Sequence, residues 1–222
     1  MRTFDEIEAI ARERKGDLTP YLESHGKAMM PAKLAKVLDD RWLAMMTRCV
    51  FQAGFNWKVV GAMWDGFEAA FDGFDVGRCS MLNDDDIARL VSDKRIIRNG
   101  QKIGTVPANA VFVAELAAEH GGAGAFFGGW PANDYVGLLD VLKKRGARLG
   151  GNTGAYFLRF MHVDSFILSK DVTARLVAEG VVDKTPGSAK AMAAVQAAFN
   201  DWRAQSGRSL TEISRILALS IG

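Results

Sequence analysis

With 222 residues, 49% of them apolar and 24% charged, the chain can bury a substantial core in one or two domains and is neither fibrous nor disordered. A formal charge of +2 gives no global attraction to polyanions, so any such binding depends on where the cations cluster. Apolar runs break well before the roughly 18 residues a membrane span needs, and the first residues, Met1 to Ile7, lack the basic start and apolar block of a signal peptide; no membrane partner and a cytoplasmic location are expected.

Apolar residues recur at three- and four-residue spacing along nearly the whole chain while strand-like alternation is scarce, which predicts an all-α protein, a compact multi-helix bundle cleft between its halves. Residues 4 to 14 form an amphipathic helix that stops at Lys15-Gly16. Asp39 or Asp40 is placed to cap a helix through Trp42, Leu43, Met46, Val50 and Phe51, broken at Gly54. A further helix begins near Asn56. Asn83-Asp84-Asp85-Asp86 sets carboxylates at a helix start, where the macrodipole favours them, with Ile87, Leu90 and Val91 as its buried stripe. A long helix is expected from Lys102 to His120, with Pro107 tolerated in its first turn. After the Gly121 to Gly124 turn come Phe126, Phe127 and Trp130, read as a core-sealing cluster. Helices follow at 132 to 145, 155 to 162, 170 to 179, 188 to 205 and 209 to 219, the last opened by the capping box Ser209-Leu210-Thr211-Glu212.

Cys49 and Cys79 sit in apolar settings and read as buried reduced thiols. His25, His120 and His162 are scattered without ligand spacing, so no metal and no cofactor is expected. The cations gather in two places: Lys94, Arg95, Arg98 and Lys102, and Lys143, Lys144, Arg145 and Arg148. The second group leads into Gly150-Gly151-Asn152-Thr153-Gly154, where glycines let a backbone approach closely and Asn152 or Thr153 can cap the next helix. Such a helix-turn-helix grips a phosphate or, equally, forms a glycine-capped αα-corner; its spacing is not that of a nucleotide-triphosphate loop. In Phe51-Gln52-Ala53-Gly54-Phe55-Asn56-Trp57 a glycine-interrupted helix end carries an amide and an indole, a pairing that can hold a planar ring.

Gln52-Ala53-Gly54 with Trp57, Phe74-Asp75, Met81, Asp85-Asp86, Leu90, Ile96-Ile97-Arg98-Asn99, Lys102-Ile103 and Asn109-Ala110, continuing through Leu142-Lys143-Lys144-Arg145-Gly146, resemble the 3-methyladenine DNA glycosylase I family in order and spacing. The resemblance runs from about residue 38 to about residue 175. It implies one all-α domain over 1–222, with 1–37 as an N-terminal extension, 38–180 as the family-like core and 181–222 as added helices packing on it. It also implies a helix-hairpin-helix enzyme, a monomer, that hydrolyses the N-glycosidic bond of alkylated purines such as 3-methyladenine in double-stranded DNA. Trp57 then matches the pocket tryptophan, with Gln52, Phe51 and Cys49 beside it. Gly54, Phe55, Arg98, Lys102, Arg148, Gly150, Gly151, Asn152, Thr153 and Gly154 become the DNA-facing set, Phe55 as a wedge for the gap left by a flipped base. Asp171, and after it Asp164, are the alternatives for a carboxylate that stabilises oxocarbenium charge, each also suited to capping a helix.

Two departures stand out. Family members carry a carboxylate three residues before the glutamine, where this chain has Cys49, and the family's zinc-binding cysteines and histidines have no counterparts here. The Cys49 exchange leaves a non-catalytic DNA-binding protein on the same scaffold as the alternative function.

Overall fold

The structure, a computed structural model, describes residues 1–23 and 27–221; His25 lies outside them. Every element of regular structure among the described residues is a helix, with no strand, as the spacing predicts. The chain divides into two compact units with interleaved boundaries: Met30–Gly129 with Leu139–Met161, and Met1–Met29 with Trp130–Leu138 and His162–Gly222.

In the first of these units the Asp39–Gln52 helix is central and packs against Thr105–His120 and Asn152–Phe160. It buries Trp42, Leu43, Met46, Val50 and Phe51. Trp42 stacks on Phe127 at 4.9 Å and meets the edge of Phe157 at 5.9 Å, so Phe127 seals the core as expected. Trp64, Phe67, Phe71 and Phe74 continue the core as a run of stacked rings. Neither Asp39 nor Asp40 caps the helix: the cap position is Leu38, and Asp39 Oδ1 accepts instead from the Ala123 amide, 2.8 Å away and 84 residues along the chain. The expected helix from Lys102 to His120 is two, Gly100–Ile103 and Thr105–His120, with Gly104 between them. Asn83 caps Asp84–Ser92 and forms a capping box with Asp86.

The other unit is built from Phe4–Lys15, Lys170–Ala178, Ala189–Ser206 and Leu210–Leu219. Leu210–Leu219 packs on the other three and opens with the Ser209 and Glu212 capping box read from the sequence. Phe166 stacks on Phe199 at 4.2 Å beneath Tyr135, and the Trp202 indole donates to the Arg2 carbonyl. A buried ion cluster joins three elements. Arg175 donates to Glu179 Oε1 and to Ser220, and Glu179 also accepts from the Arg2 amide and guanidinium at 2.7 and 2.9 Å. Burial works to raise the Glu179 carboxyl, but the hydrogen bonds from Arg2 and Arg175 outweigh it and hold the group below its ordinary value.

Candidate functional site

The segment from Gln52 to Trp57 owes its shape to two local devices. Gln52, Ala53, Gly54 and Phe55 form a type II turn: Phe55 N donates to Gln52 O at 3.2 Å, Ala53 lies at φ −64, ψ 110, and Gly54 takes φ +77. Only a residue without Cβ adopts that third position at no cost, which is why glycine breaks the helix here. Asn56 then accepts from Lys58 N at 2.9 Å and starts the Trp57–Ala62 helix, fixing Trp57 at its first position. The indole is 45% exposed, edge-on to Tyr156 at 5.4 Å and to Phe160 at 5.7 Å.

Beside it lies a cavity of about 350 Å³ walled by Met45, Arg48, Gln52, Trp57 and Phe160. Met45, Arg48 and Gln52 stand three and four residues apart and therefore share one helix face. Gln52 is 7% exposed, and its Oε1 is buried without a hydrogen-bond partner among the described residues. An unmatched buried acceptor is costly, and a ligand donor that settled against it would recover that cost. Phe51 and Cys49, expected in the pocket, are not part of its wall. Phe51 is turned about 100° from Gln52, is fully buried, and packs edge-on to Phe67 at 4.7 Å. Cys49 is also buried, and desolvation, opposed only by Arg48 nearby, pushes its thiol up to about 12. It stays protonated at any physiological pH.

Lys102 does not form an exposed basic rim. It is buried, and its Nζ donates to the carbonyls of Phe51 and Ala53 at 3.2 and 2.6 Å, the open end of the Asp39–Gln52 helix. There the ammonium meets the negative end of the helix dipole. Desolvation, then the charge of Arg148, lowers its pKa. Phe55 lies over the same ammonium at 4.4 Å. Lys102 thus ties the Gly54 turn to the Gly100–Ile103 helix, which Asn99 caps by accepting from Lys102 N. Arg98, next to it, is exposed.

The glycine hairpin lies in the same unit, between the end of the Tyr135–Arg145 helix and Asn152–Phe160. A Cβ on Gly154 would overlap the Leu149 carbonyl, so glycine sets how closely the second helix approaches the turn. Neither Asn152 nor Thr153 caps that helix. The cap position is Gly151, at φ +60, and among the described residues no side chain caps the first amides. The backbone of the turn is held by Asn109, which is fully buried: Ala147 N donates to its Oδ1 at 2.8 Å, and its Nδ2 donates to Ala147 O at 3.2 Å. Arg148, also at φ +60, donates to Gln101 Oε1 at 2.7 Å, linking the hairpin to the segment that bears Lys102. Half of the second basic group is already paired, Lys144 with Asp140 and Arg145 with Glu115 and Glu119, while Lys143 and Arg148 are exposed.

Asp164 and Asp171 belong to the other unit. Both Asp164 oxygens accept backbone amides, from Leu210 at 3.1 Å and Thr211 at 2.9 Å, so it stabilises the start of the last helix. Asp171 lies in the first turn of Lys170–Ala178 behind the Ser169 cap, where its charge suits the dipole. Sequence reasoning missed Met45, Arg48 and Phe160 in the cavity wall and Asn109 behind the hairpin. Counting back four and seven residues from Gln52 points to the first two; nothing local points to the others.

The first unit thus holds both an aromatic-walled cavity and a glycine hairpin within one helical fold, and known proteins share that fold. The family model described as methyladenine glycosylase matches residues 35–135. Among solved structures, a point mutant of the 3-methyladenine DNA glycosylase I of Staphylococcus aureus is 16% identical, covers 81% of this chain and 98% of its own, and superposes with a TM-score of 0.53. A structure of the same enzyme described as the basis of 3-methyladenine recognition is 18% identical, with coverage of 71% and 91% and a TM-score of 0.53. A further 3-methyladenine DNA glycosylase I, a mutant in complex with 3-methyladenine, is 19% identical, with coverage of 69% and 90% and a TM-score of 0.52. The family match lies within residues 35–135, under half of the chain, and the likeness to these solved structures shows a shared helical fold.

Proposed function

We propose that the protein is a base-excision repair glycosylase that hydrolyses the N-glycosidic bond of alkylated purines such as 3-methyladenine in double-stranded DNA. The observation that carries this reading is the cavity walled by Gln52 and Trp57, four of whose five residues fall within the stretch that matches methyladenine glycosylases. A damaged base leaves the stack, enters the cavity and stacks against Trp57, with Gln52 Oε1 as its hydrogen-bond acceptor. The uncapped amides at Asn152, Thr153 and Gly154, with Gly150 and Gly151 before them, form a helix-hairpin-helix grip on a backbone phosphate, which Arg148 and Arg98 reinforce. Gly54 and Phe55 face the same strand, Phe55 as the wedge.

Water adds to C1′ and the base departs with the bond's electron pair, leaving an abasic site without a covalent enzyme intermediate. Asp171 is the candidate for stabilising positive charge on the sugar, since both oxygens of Asp164 are engaged by backbone amides. The reaction needs no metal and no cofactor, and we read the protein as a cytoplasmic monomer.

The test is release of free base from alkylated duplex DNA, resolved by chromatography under single-turnover conditions. Trp57→Ala removes a stacking surface of about 1–3 kcal/mol and lowers release by about 5- to 150-fold; because the indole is 45% exposed, the variant stays folded. Absence of any released base at high enzyme concentration refutes the assignment. One observation favours a second reading, a non-catalytic DNA-binding protein: the protonated Cys49 thiol offers no anion to a cationic base. Salt-dependent DNA binding without base release would select it.

A further inference from the structure

The cavity wall carries a positive charge that an alkylated-purine cation would not favour. Of Met45, Arg48, Gln52, Trp57 and Phe160, only Arg48 ionises. Among the described residues no carboxylate pairs with it; its guanidinium lies over the Trp64 ring at 5.3 Å. The thiol of the adjoining Cys49 is protonated. The site therefore presents one cation and no anion.

We propose that this cavity also accepts uncharged purines that carry a ring carbonyl, and that Arg48 assists their release; the inference rests on the glycosylase reading above. The two kinds of substrate differ in where charge goes. A nucleotide alkylated at N3 of adenine is a cation and leaves as a neutral base, so a guanidinium beside it disfavours the bound state and has nothing to stabilise on departure. An uncharged purine behaves oppositely. As the water oxygen bonds to C1′, the C1′–N9 bond breaks and its electron pair passes to the ring. The base leaves as an anion and then takes up the proton released by the attacking water. Negative charge spreads onto the carbonyl oxygen during that step, and a guanidinium donating to this oxygen stabilises it more as the bond breaks. Arg48 and Gln52 are four residues apart on one helix face, the spacing that lets both reach a single ring edge.

The test compares two substrates with the full chain: a duplex bearing one hypoxanthine, and duplex DNA bearing 3-methyladenine. Single-turnover release of each base is measured for the wild type, Arg48→Gln and Arg48→Lys. The wild type is expected to release hypoxanthine. Arg48→Gln should lower the ratio of hypoxanthine to 3-methyladenine release by at least about tenfold, and Arg48→Lys should restore most of it because the charge is kept. A merely structural role for Arg48 would reduce both releases alike and leave the ratio unchanged, which overturns the proposal. Release of 3-methyladenine but not hypoxanthine by the wild type also overturns it while leaving the glycosylase reading intact. Release of neither base removes both. Should Arg48→Gln fail to fold, the wild-type ratio and Arg48→Lys still decide.

Discussion

Asn109 offers the sharpest test of how the hairpin is held. Its amide is fully buried and makes two hydrogen bonds to one residue of the turn, accepting from Ala147 N and donating to Ala147 O. Asn109→Ala removes both. Each such bond contributes about 1 kcal/mol net, and an amide or carbonyl left unpaired away from water costs about 1–3 kcal/mol. Ala147 is only half-buried, so water repairs part of the loss. A destabilisation of about 2–3 kcal/mol follows, read as a lower urea midpoint at unchanged slope. The freed turn also presents its amides in many arrangements instead of one, so affinity for an undamaged duplex should fall several-fold while the cavity and Trp57 fluorescence stay as they are. Asn109→Asp keeps the acceptor for Ala147 N but places a carboxylate against Ala147 O; it should be no better than alanine near neutral pH. A loss under about 0.5 kcal/mol for Asn109→Ala, with DNA affinity unchanged, would refute the claim that this amide organises the hairpin.

Lys102→Met breaks the two donations to Phe51 O and Ala53 O. It should cost about 2 kcal/mol, the loss of charge-assisted bonds being offset in part by removal of a desolvated cation. Because the ammonium is engaged inside the protein, the salt dependence of DNA binding should keep its slope; a slope smaller by about one would instead make Lys102 a phosphate contact. Glu179 makes stability sensitive to acid. Its folded pKa is held below the ordinary 4.5, so its contribution is present above that value and is lost as the pH falls through the folded pKa. Glu179→Gln should thus be about 3 kcal/mol less stable than the wild type near pH 7, with the gap closing as the pH falls through the lowered folded pKa; a gap independent of pH in urea titrations would contradict the ion cluster.

The helices and their starts were legible because their signals are local. Ser209 with Glu212, Asn83 with Asp86, and Asn56 ahead of Trp57 each satisfy amides two or three residues away, so composition and spacing suffice to find them. Gly54 marked the end of its helix for the same reason, a backbone angle that favours glycine. Gln52 and Trp57 were legible as a pair that could meet a planar ring, since one turn joins them.

What tertiary structure decided is where long side chains end and what distant segments do with them. In sequence Lys102 is one more cation in a basic run. In the fold its four-carbon stem carries the charge inward to two carbonyls about fifty residues away. Asp39 stands where a cap belongs, yet serves an amide on another helix. Asp164 looked like a candidate acid and closes the start of a helix 46 residues on. Arg48 shares the helix face of Gln52 by spacing, but only the fold shows that this face meets a cavity. Local periodicity thus determined that the chain is helical and which residues bound its turns. The packing of residues far apart in sequence, where desolvation favours a partner for each buried charge, decided which side chains line the cavity and with what charge.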